Sequence, residues 1–147
     1  MAEQNHMQVM FDAKSVNESL ARMVVTAFMT DMNPTLEQIS DVKTAVSEAV
    51  TNAIIHGYVN ENREDSVELC CDREGQQLIV TVEDHGVGIA DVEQARNPFY
   101  TTKPELERSG MGFTFMEAFM DKVEVCSQLG VGTKVVMWKY IERESEQ

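Results

Sequence analysis

Residues 46–58 read VSEAVTNAIIHGY, and the fold is decided by the helix that this stretch completes. Upstream, Thr35-Leu36-Glu37-Gln38 has the capping-box pattern with which many helices begin. Apolar residues then recur at helical spacing at Ile39, Val42, Val46, Ala49, Val50 and Ala53. We therefore predict an amphipathic helix that begins near Thr35 and ends at about Gly57, since glycine is a natural C-terminal stop.

A polar stripe runs along the same helix beside its apolar face. Glu48, Asn52 and His56 recur every four residues, so they line up on one side of the helix. A stripe that flanks the apolar face is expected to open onto a cleft. The asparagine offers a hard oxygen ligand for Mg²⁺, and the glutamate can accept a proton or hold a water molecule. Taken alone, the same spacing also fits a hydrated helix edge.

The segments before and after this helix are predicted to form further strands and helices. Hairpin turns are predicted at residues 73–76 and 129–132. Further helices are predicted over residues 17–31, with apolar positions Leu20, Val24, Ala27 and Phe28, and over residues 111–121. Strand-like stretches lie at residues 7–12, 66–72, 77–83, 123–127 and 133–140. The expected fold class is α+β, a two-layer sandwich in which a mixed, mostly antiparallel sheet packs on about three helices.

Length and composition limit the classes of protein to consider. The chain has 147 residues without an internal linker or repeat, so one domain over residues 1–147 is expected. It contains no run of about eighteen apolar residues and no basic, apolar leader at its start, so we expect a cytoplasmic protein that does not enter a membrane. The formal net charge of −13 disfavours direct contact with nucleic acid. Cys70, Cys71 and Cys126 form no metal-binding or disulfide pattern and are interpreted as small core residues.

A glycine-containing turn follows the strand predicted at residues 77–83. Asp84, Gly86 and Gly88 form a D-x-G-x-G pattern at the strand end. An aspartate in this place can accept a hydrogen bond from an exocyclic amine, and the glycines allow the backbone to approach a flat base. An ordinary Asp-Gly turn is the alternative when the pattern is read alone.

Residues 90–110 form a long segment without a strong period, which is typical of a functional loop such as a lid. Within it, Thr102, Lys103, Arg108 and Ser109 supply hydroxyls and positive charges suited to phosphate. The segment leads into Gly110-Met111-Gly112-Phe113 at the start of a predicted helix, where free N–H groups can receive phosphate oxygens. Thr133 begins the last strand, from which its hydroxyl can reach a base or a bound water.

Each of these motifs is weak alone, but their order along the chain resembles that of the GHKL ATPase and kinase superfamily. No P-loop and no protein-kinase H-R-D or D-F-G motif occurs in the sequence. Residues 46–58 and 101–113 further resemble the anti-sigma F factors of endospore-forming bacteria, and the similarity extends over nearly the whole chain. This resemblance implies a homodimeric serine kinase that uses Mg²⁺ and ATP, releases ADP, holds sigma F inactive and phosphorylates a serine of an anti-anti-sigma protein.

The resemblance also implies roles for individual residues. Glu48 would be the general base, Asn52 the magnesium ligand and Asp84 the adenine anchor, and a flexible ATP lid would carry Thr102, Lys103, Arg108 and Ser109. Arg22 would face a partner protein. His85 departs from the family pattern, in which an acidic residue is expected. The other residues expected to bind the nucleotide are His56, Gly86, Gly88, Gly110, Met111, Gly112, Phe113 and Thr133.

Two alternatives to this reading remain open at the level of sequence. The chain fits a related anti-sigma kinase of the stress response, which has the same fold and a different sigma factor. It also fits a binding module that is gated by a nucleotide and does not catalyse phosphoryl transfer. The glutamate at position 48 favours a kinase over the binding module.

Overall fold

The computed structural model describes residues 3–57, 65–89, 91–92, 96 and 112–142. The described residues form five strands and three α-helices in one α+β arrangement. The strands are β1 (Gln4–Asp12), β2 (Ser66–Glu74), β3 (Gln77–Asp84), β4 (Lys122–Gln128) and β5 (Gly132–Tyr140). The helices are α1 (Asn17–Met29), α2 (Leu36–Asn52) and α3 (Gly112–Phe119).

The five strands form a single sheet in the order β1-β2-β3-β5-β4. Every neighbouring pair is antiparallel, so the sheet is antiparallel throughout rather than mixed. Alternate residues of β2 and β3 are buried, which is expected when one face of a sheet packs against helices. The predicted α+β sandwich, with about three helices, is therefore confirmed.

The beginning of α2 has the capping box that the sequence predicts. The Thr35 hydroxyl accepts the Gln38 backbone N–H at 3.1 Å, and the Gln38 side-chain oxygen accepts the Thr35 N–H at 3.1 Å. At its other end, α2 passes into a π-helical turn, Ala53–Gly57. The helix therefore reaches Gly57 as predicted, although its last turn is wider than an α-helical one.

The core lies between the helices and the sheet. Val42, Val46 and Val50 of α2 are fully buried, as are Met29 of α1 and Met116 of α3. They pack with Val67, Leu69, Cys71, Leu78, Val80, Val135 and Met137 of the sheet. No helix in the described ranges is both long and apolar enough to cross a membrane.

The buried face of α1 differs from the predicted apolar positions. Ala21, Val25 and Met29 are buried, whereas Leu20 is 45% exposed and Ala27 is exposed. Most residues from 20 to 29 are apolar, so the sequence pattern does not select one face of this helix. The predicted helix is present, but of its four named apolar positions only Val24 and Phe28 pack against the core.

The three cysteines lie in different environments. Cys71 is buried in the core, Cys70 is half-buried at the preceding position of β2, and Cys126 is exposed on the edge strand β4. The prediction of a core position is right for Cys71 and wrong for Cys126. Adjacent strand residues point to opposite faces, and this separates Cys70 from Cys71.

Candidate functional site

Asn52, in the polar stripe of α2, lies against the first residue of α3. Glu48 and Asn52 are half-buried, one helical turn apart. A Cβ atom added at Gly112 would lie 2.9 Å from the Asn52 Nδ2 atom and 3.2 Å from its Oδ1 atom. Glycine at this position therefore lets the start of α3 lie directly against the Asn52 side chain. The free N–H groups at the start of a helix favour negatively charged groups, so this junction suits phosphate oxygens.

Asp84 lies at the end of β3 and is 5% exposed. Its carboxylate accepts the Gly86 backbone N–H at 2.9 Å. Thr133, which is also buried, is its direct neighbour in the register between β3 and β5. Two of the predicted site residues, 49 positions apart in the chain, are therefore side by side where two neighbouring interior strands meet their loops.

The protonation of Asp84 reflects this position. Burial raises the pKa of the Asp84 carboxyl above its ordinary value, and the nearby Glu83 carboxylate adds to the increase. The backbone N–H groups of Gly86 and Thr133 lower the pKa, as does the His85 imidazole. A buried carboxylate with a raised pKa benefits from a further hydrogen-bond donor, and an exocyclic amine would supply one.

Ser127 extends the row formed by Asp84 and Thr133 to a third strand. Its hydroxyl lies 2.8 Å from the Thr133 hydroxyl, and the two residues are register partners between β4 and β5. The Ser127 oxygen also accepts the Ile89 backbone N–H at 2.6 Å and donates to the Gly132 carbonyl at 3.1 Å. It thereby ties the turn after β3 to the hairpin of β4 and β5. Sequence reasoning missed Ser127, whose one available signal is its position across the hairpin from Thr133.

Two glycines permit this close packing of turns. Gly88 has a φ of +78°, and a Cβ there would lie 2.3 Å from the Gln128 carbonyl oxygen. Gly132 has a φ of +137°, and a Cβ there would lie 2.1 Å from the Asp84 carbonyl oxygen. Any side chain at either position would displace backbone. Gly88 thus has a packing role within the D-x-G-x-G turn, and Gly132 has one beside the predicted anchor.

The other residues predicted to bind the nucleotide are Phe113, which the structure describes, and a larger set that lies partly or wholly outside the described residues. Phe113 is half-buried and packs against the hydrophobic core. The backbone of His56 lies in the π-helical turn, but its side chain is outside the described part of the structure. Thr102, Lys103, Arg108, Ser109, Gly110 and Met111 also lie outside the described residues, together with most of the predicted lid.

Arg22 of α1 lies across a groove from Glu48 of α2. The groove has a volume of about 480 Å³. Apart from Arg22 it is lined by one face of α2: Leu36, Ile39, Ser40, Lys43, Thr44, Ser47 and Glu48. The residue predicted to face a partner and the residue predicted to act as a base therefore border the same groove.

Among the described residues, two groups could supply ligands for a metal ion. Asn52 offers a hard oxygen atom beside the start of α3, with Glu48 one turn earlier on α2, which fits a Mg²⁺ ion that is shared with nucleotide phosphates. Glu68, Glu83 and His85 have ligand atoms within 4.8 Å of one another on the β2 and β3 side of the sheet. The sequence did not predict the second group.

The chain matches known proteins over most of its length. Residues 11–139 match the family model described as the histidine kinase-like ATPase domain. The "Anti-sigma F factor" of Clostridium acetobutylicum is 54% identical over 136 residues, which cover 92% of this chain and 94% of the relative. The "Anti-sigma F factor" of Anoxybacillus flavithermus is 51% identical over 139 residues, which cover 95% and 94% of the two chains.

A solved structure shares the fold at lower sequence identity. It is the crystal structure of the RsbU and RsbW domains of Rv1364c from Mycobacterium tuberculosis, with a TM-score of 0.68 and 17% identity. The match covers 96% of this chain and 33% of the mycobacterial chain. At that identity the similarity is evidence for the fold alone.

Proposed function

Since the chain belongs to the anti-sigma F factor family and carries a histidine kinase-like ATPase domain, we propose that it is a protein-serine kinase that also inhibits a sigma factor. The proposal names sigma F as the inhibited protein and an anti-anti-sigma protein as the phosphorylated one. The observation that carries it is the contact between Asn52 and the start of α3 at Gly112, with Glu48 one turn away. This arrangement puts Asn52, the proposed Mg²⁺ ligand, against a helix N-terminus, with the proposed base one turn earlier on α2.

The proposed nucleotide site extends from the end of β3 to this junction. The Asp84 carboxylate would accept the adenine amine, and the Gly86 and Gly88 turn would lie along the base. The N–H groups at the start of α3 would receive phosphate oxygens, and Asn52 would hold Mg²⁺. The ion would supply charge neutralisation at the phosphates. The predicted lid, with Lys103 and Arg108, would complete the site.

In the proposed reaction, the serine hydroxyl oxygen of the partner attacks the γ-phosphorus of ATP. The bond between that phosphorus and the β,γ-bridging oxygen breaks, and ADP leaves. Glu48 accepts the proton that the serine hydroxyl releases. Because phosphoryl transfer depends mainly on position and charge, the protein's main task is to hold the two reactants in line.

The groove between Arg22 and Glu48 supports a partner site next to the base. The Arg22 side chain is 39% exposed although its Nε atom is buried, so part of the side chain can contact a bound protein. We propose that the partner serine enters along this groove, and that two copies of the chain act together as a cytoplasmic homodimer in the control of sporulation.

The decisive experiment combines the purified chain with Mg-ATP labelled at the γ-phosphate, sigma F and the anti-anti-sigma protein. We expect label to appear on a serine of the anti-anti-sigma protein and sigma F to be retained on the immobilised chain. Retention of sigma F without labelling would instead indicate a nucleotide-gated binding module. Retention of a stress-response sigma factor in place of sigma F would identify the related stress-response kinase.

A further inference from the structure

Glu18 joins the first two helices at one end of the groove. It lies in the first turn of α1, and its side chain is 20% exposed. Its carboxylate accepts a hydrogen bond from the Ser47 hydroxyl of α2. The same carboxylate oxygen lies 3.1 Å from the Arg22 Nε atom, one turn further along α1. We call these three residues, Glu18, Arg22 and Ser47, the Glu18 bridge.

The Glu18 bridge restrains both walls of the groove. A hydrogen bond to an ionised carboxylate is stronger than one between neutral groups, so the contact with Ser47 is a firm link between the helices. The Arg22 Nε atom lies beside the same carboxylate oxygen as an ion pair, without the geometry of a hydrogen bond, and Arg22 Nη2 donates to the Ser19 hydroxyl at 3.3 Å. The acid lies in the first turn of its helix, where the helix dipole favours a negative charge.

Glu48 is directly coupled to this link through the backbone of α2. It follows Ser47 in the sequence, and both residues line the groove. The neighbouring residues Val46, Ala49 and Val50 are buried in the core, so this part of the helix is fixed by packing. A restraint on Ser47 therefore sets where Glu48 lies relative to Arg22.

We propose that Glu18 is a positioning residue for phosphoryl transfer. It fixes α1 against α2 so that a protein serine bound beside Arg22 is held in line with Glu48. This inference rests on the proposed kinase function, and it assigns a role to a residue that contacts neither the nucleotide nor the reacting atoms. Small errors in the position of reactants lower rates strongly, so a loosened bridge should slow transfer more than it weakens binding.

The test compares four variants of the full chain with the unmodified protein. Ser47→Ala removes the hydroxyl donor, Glu18→Gln removes the charge, and Ser47→Thr keeps a hydroxyl at the bridge. Thr30→Ala is the matched control, because the exposed Thr30 hydroxyl donates only within its own helical segment, to the Thr26 carbonyl at 2.8 Å. The measurements are kcat and KM for the anti-anti-sigma protein, the Kd for Mg-ATP by calorimetry, and the melting temperature.

For Ser47→Ala and Glu18→Gln we expect kcat to fall on the order of tenfold while the Kd for Mg-ATP stays within about twofold. Ser47→Thr should recover most of the rate, and Thr30→Ala should match the unmodified protein. The double variant Glu18→Gln/Ser47→Ala should be no slower than the worse single variant, because both changes break one link.

Three results would overturn the role of Glu18. The first is an unchanged kcat in both single variants, and the second is a lowered melting temperature with unchanged kcat, which would indicate a structural contact alone. The third is a Ser47→Thr variant as slow as Ser47→Ala. Absence of transfer by the unmodified protein would instead refute the proposed function, so the two failures are distinguishable.

Discussion

The Asn52 amide lies so close to Gly112 that a Cβ atom added there would be only 2.9 Å from Nδ2. Any side chain at position 112 would therefore force the amide to move. In Gly112→Ala we expect the Asn52 side chain to move and the affinity for Mg-ATP to fall on the order of tenfold. Gly112 is the first residue of α3, outside the helix interior in which alanine is favoured over glycine by about 1 kcal/mol, so stability should change little. Calorimetry with Mg-ATP and thermal unfolding measure the two effects separately. A variant that binds Mg-ATP like the unmodified protein would contradict the proposed role of this contact.

Asp84→Asn should weaken ATP binding on the order of tenfold or more, because a charged acceptor contributes more to a hydrogen bond than a neutral one. Asp72→Asn is the matched control, since it removes the same charge from β2 at an exposed site paired with His6. Titration calorimetry with ATP and with GTP gives the comparison. Equal ATP affinity in the two variants would exclude Asp84 as the adenine anchor.

Asp84 should also shape the pH dependence of stability in the nucleotide-free protein. Burial raises its folded-state pKa above the ordinary 3.8, so the folded chain binds this proton more tightly than the unfolded chain. As the pH falls from neutrality through the raised pKa toward 3.8, the unmodified protein should gain stability relative to Asp84→Asn. Urea unfolding of both proteins over this range measures the difference. A difference that moves the other way would contradict the raised pKa.

Glu48→Gln should keep ATP binding and lose transfer to the partner serine by a factor of about 10² or more, as expected when a general base is removed. Glu37→Gln is a suitable control, because Glu37 is exposed in the first turn of the same helix and outside the groove. A radiolabel-transfer assay measures the rate, and calorimetry measures the binding. Undiminished transfer by Glu48→Gln would remove Glu48 from the mechanism.

The three thiols should react at very different rates in the native protein. Burial raises the pKa of Cys71 to about 12, and the neighbouring Cys70 and Asp72 contribute in the same direction, so this thiol is both inaccessible and protonated. Cys126 is exposed, and Cys70 is half-buried with a raised pKa. Labelling with a maleimide, followed by peptide mass spectrometry, should show Cys126 modified first and Cys71 last. Early labelling of Cys71 would show that β2 is not buried as described.

Local patterns in the sequence predict most of the fold. The capping box at Thr35 and the strand alternation around Leu69 and Val80 depend on near neighbours, so they can be recognised without the tertiary structure. The buried face of α1 cannot be recognised in this way, because the helix has apolar residues on all its sides. Only packing against the rest of the protein determines that Ala21 and Val25 are buried. The exposure of Cys126 likewise follows from the place of β4 at the sheet edge, which is a property of strand order.

The residues of the candidate site also differ in whether the sequence alone can reveal them. Asp84 and Gly86 were recognisable because a strand end followed by a D-x-G-x-G turn is a local feature, and their mutual hydrogen bond is also local. The contact of Asn52 with Gly112 joins residues 60 positions apart, and the bridge from Glu18 to Ser47 joins two helices. Such contacts depend on how the helices pack against one another, and the spacing of residues along a single helix carries no information about that packing.

The hydrogen bonds of Ser127 suggest that mutations outside the predicted motifs can change nucleotide affinity. The Ser127 hydroxyl contacts both the turn that follows Asp84, at Ile89, and the hairpin that carries Thr133, so a shift of one segment would disturb the contacts of the other. A substitution in β4, which carries none of the predicted motifs, is therefore expected to alter the proposed adenine site. A random screen for altered ATP affinity should return substitutions at position 127 as readily as in the glycine-rich turns.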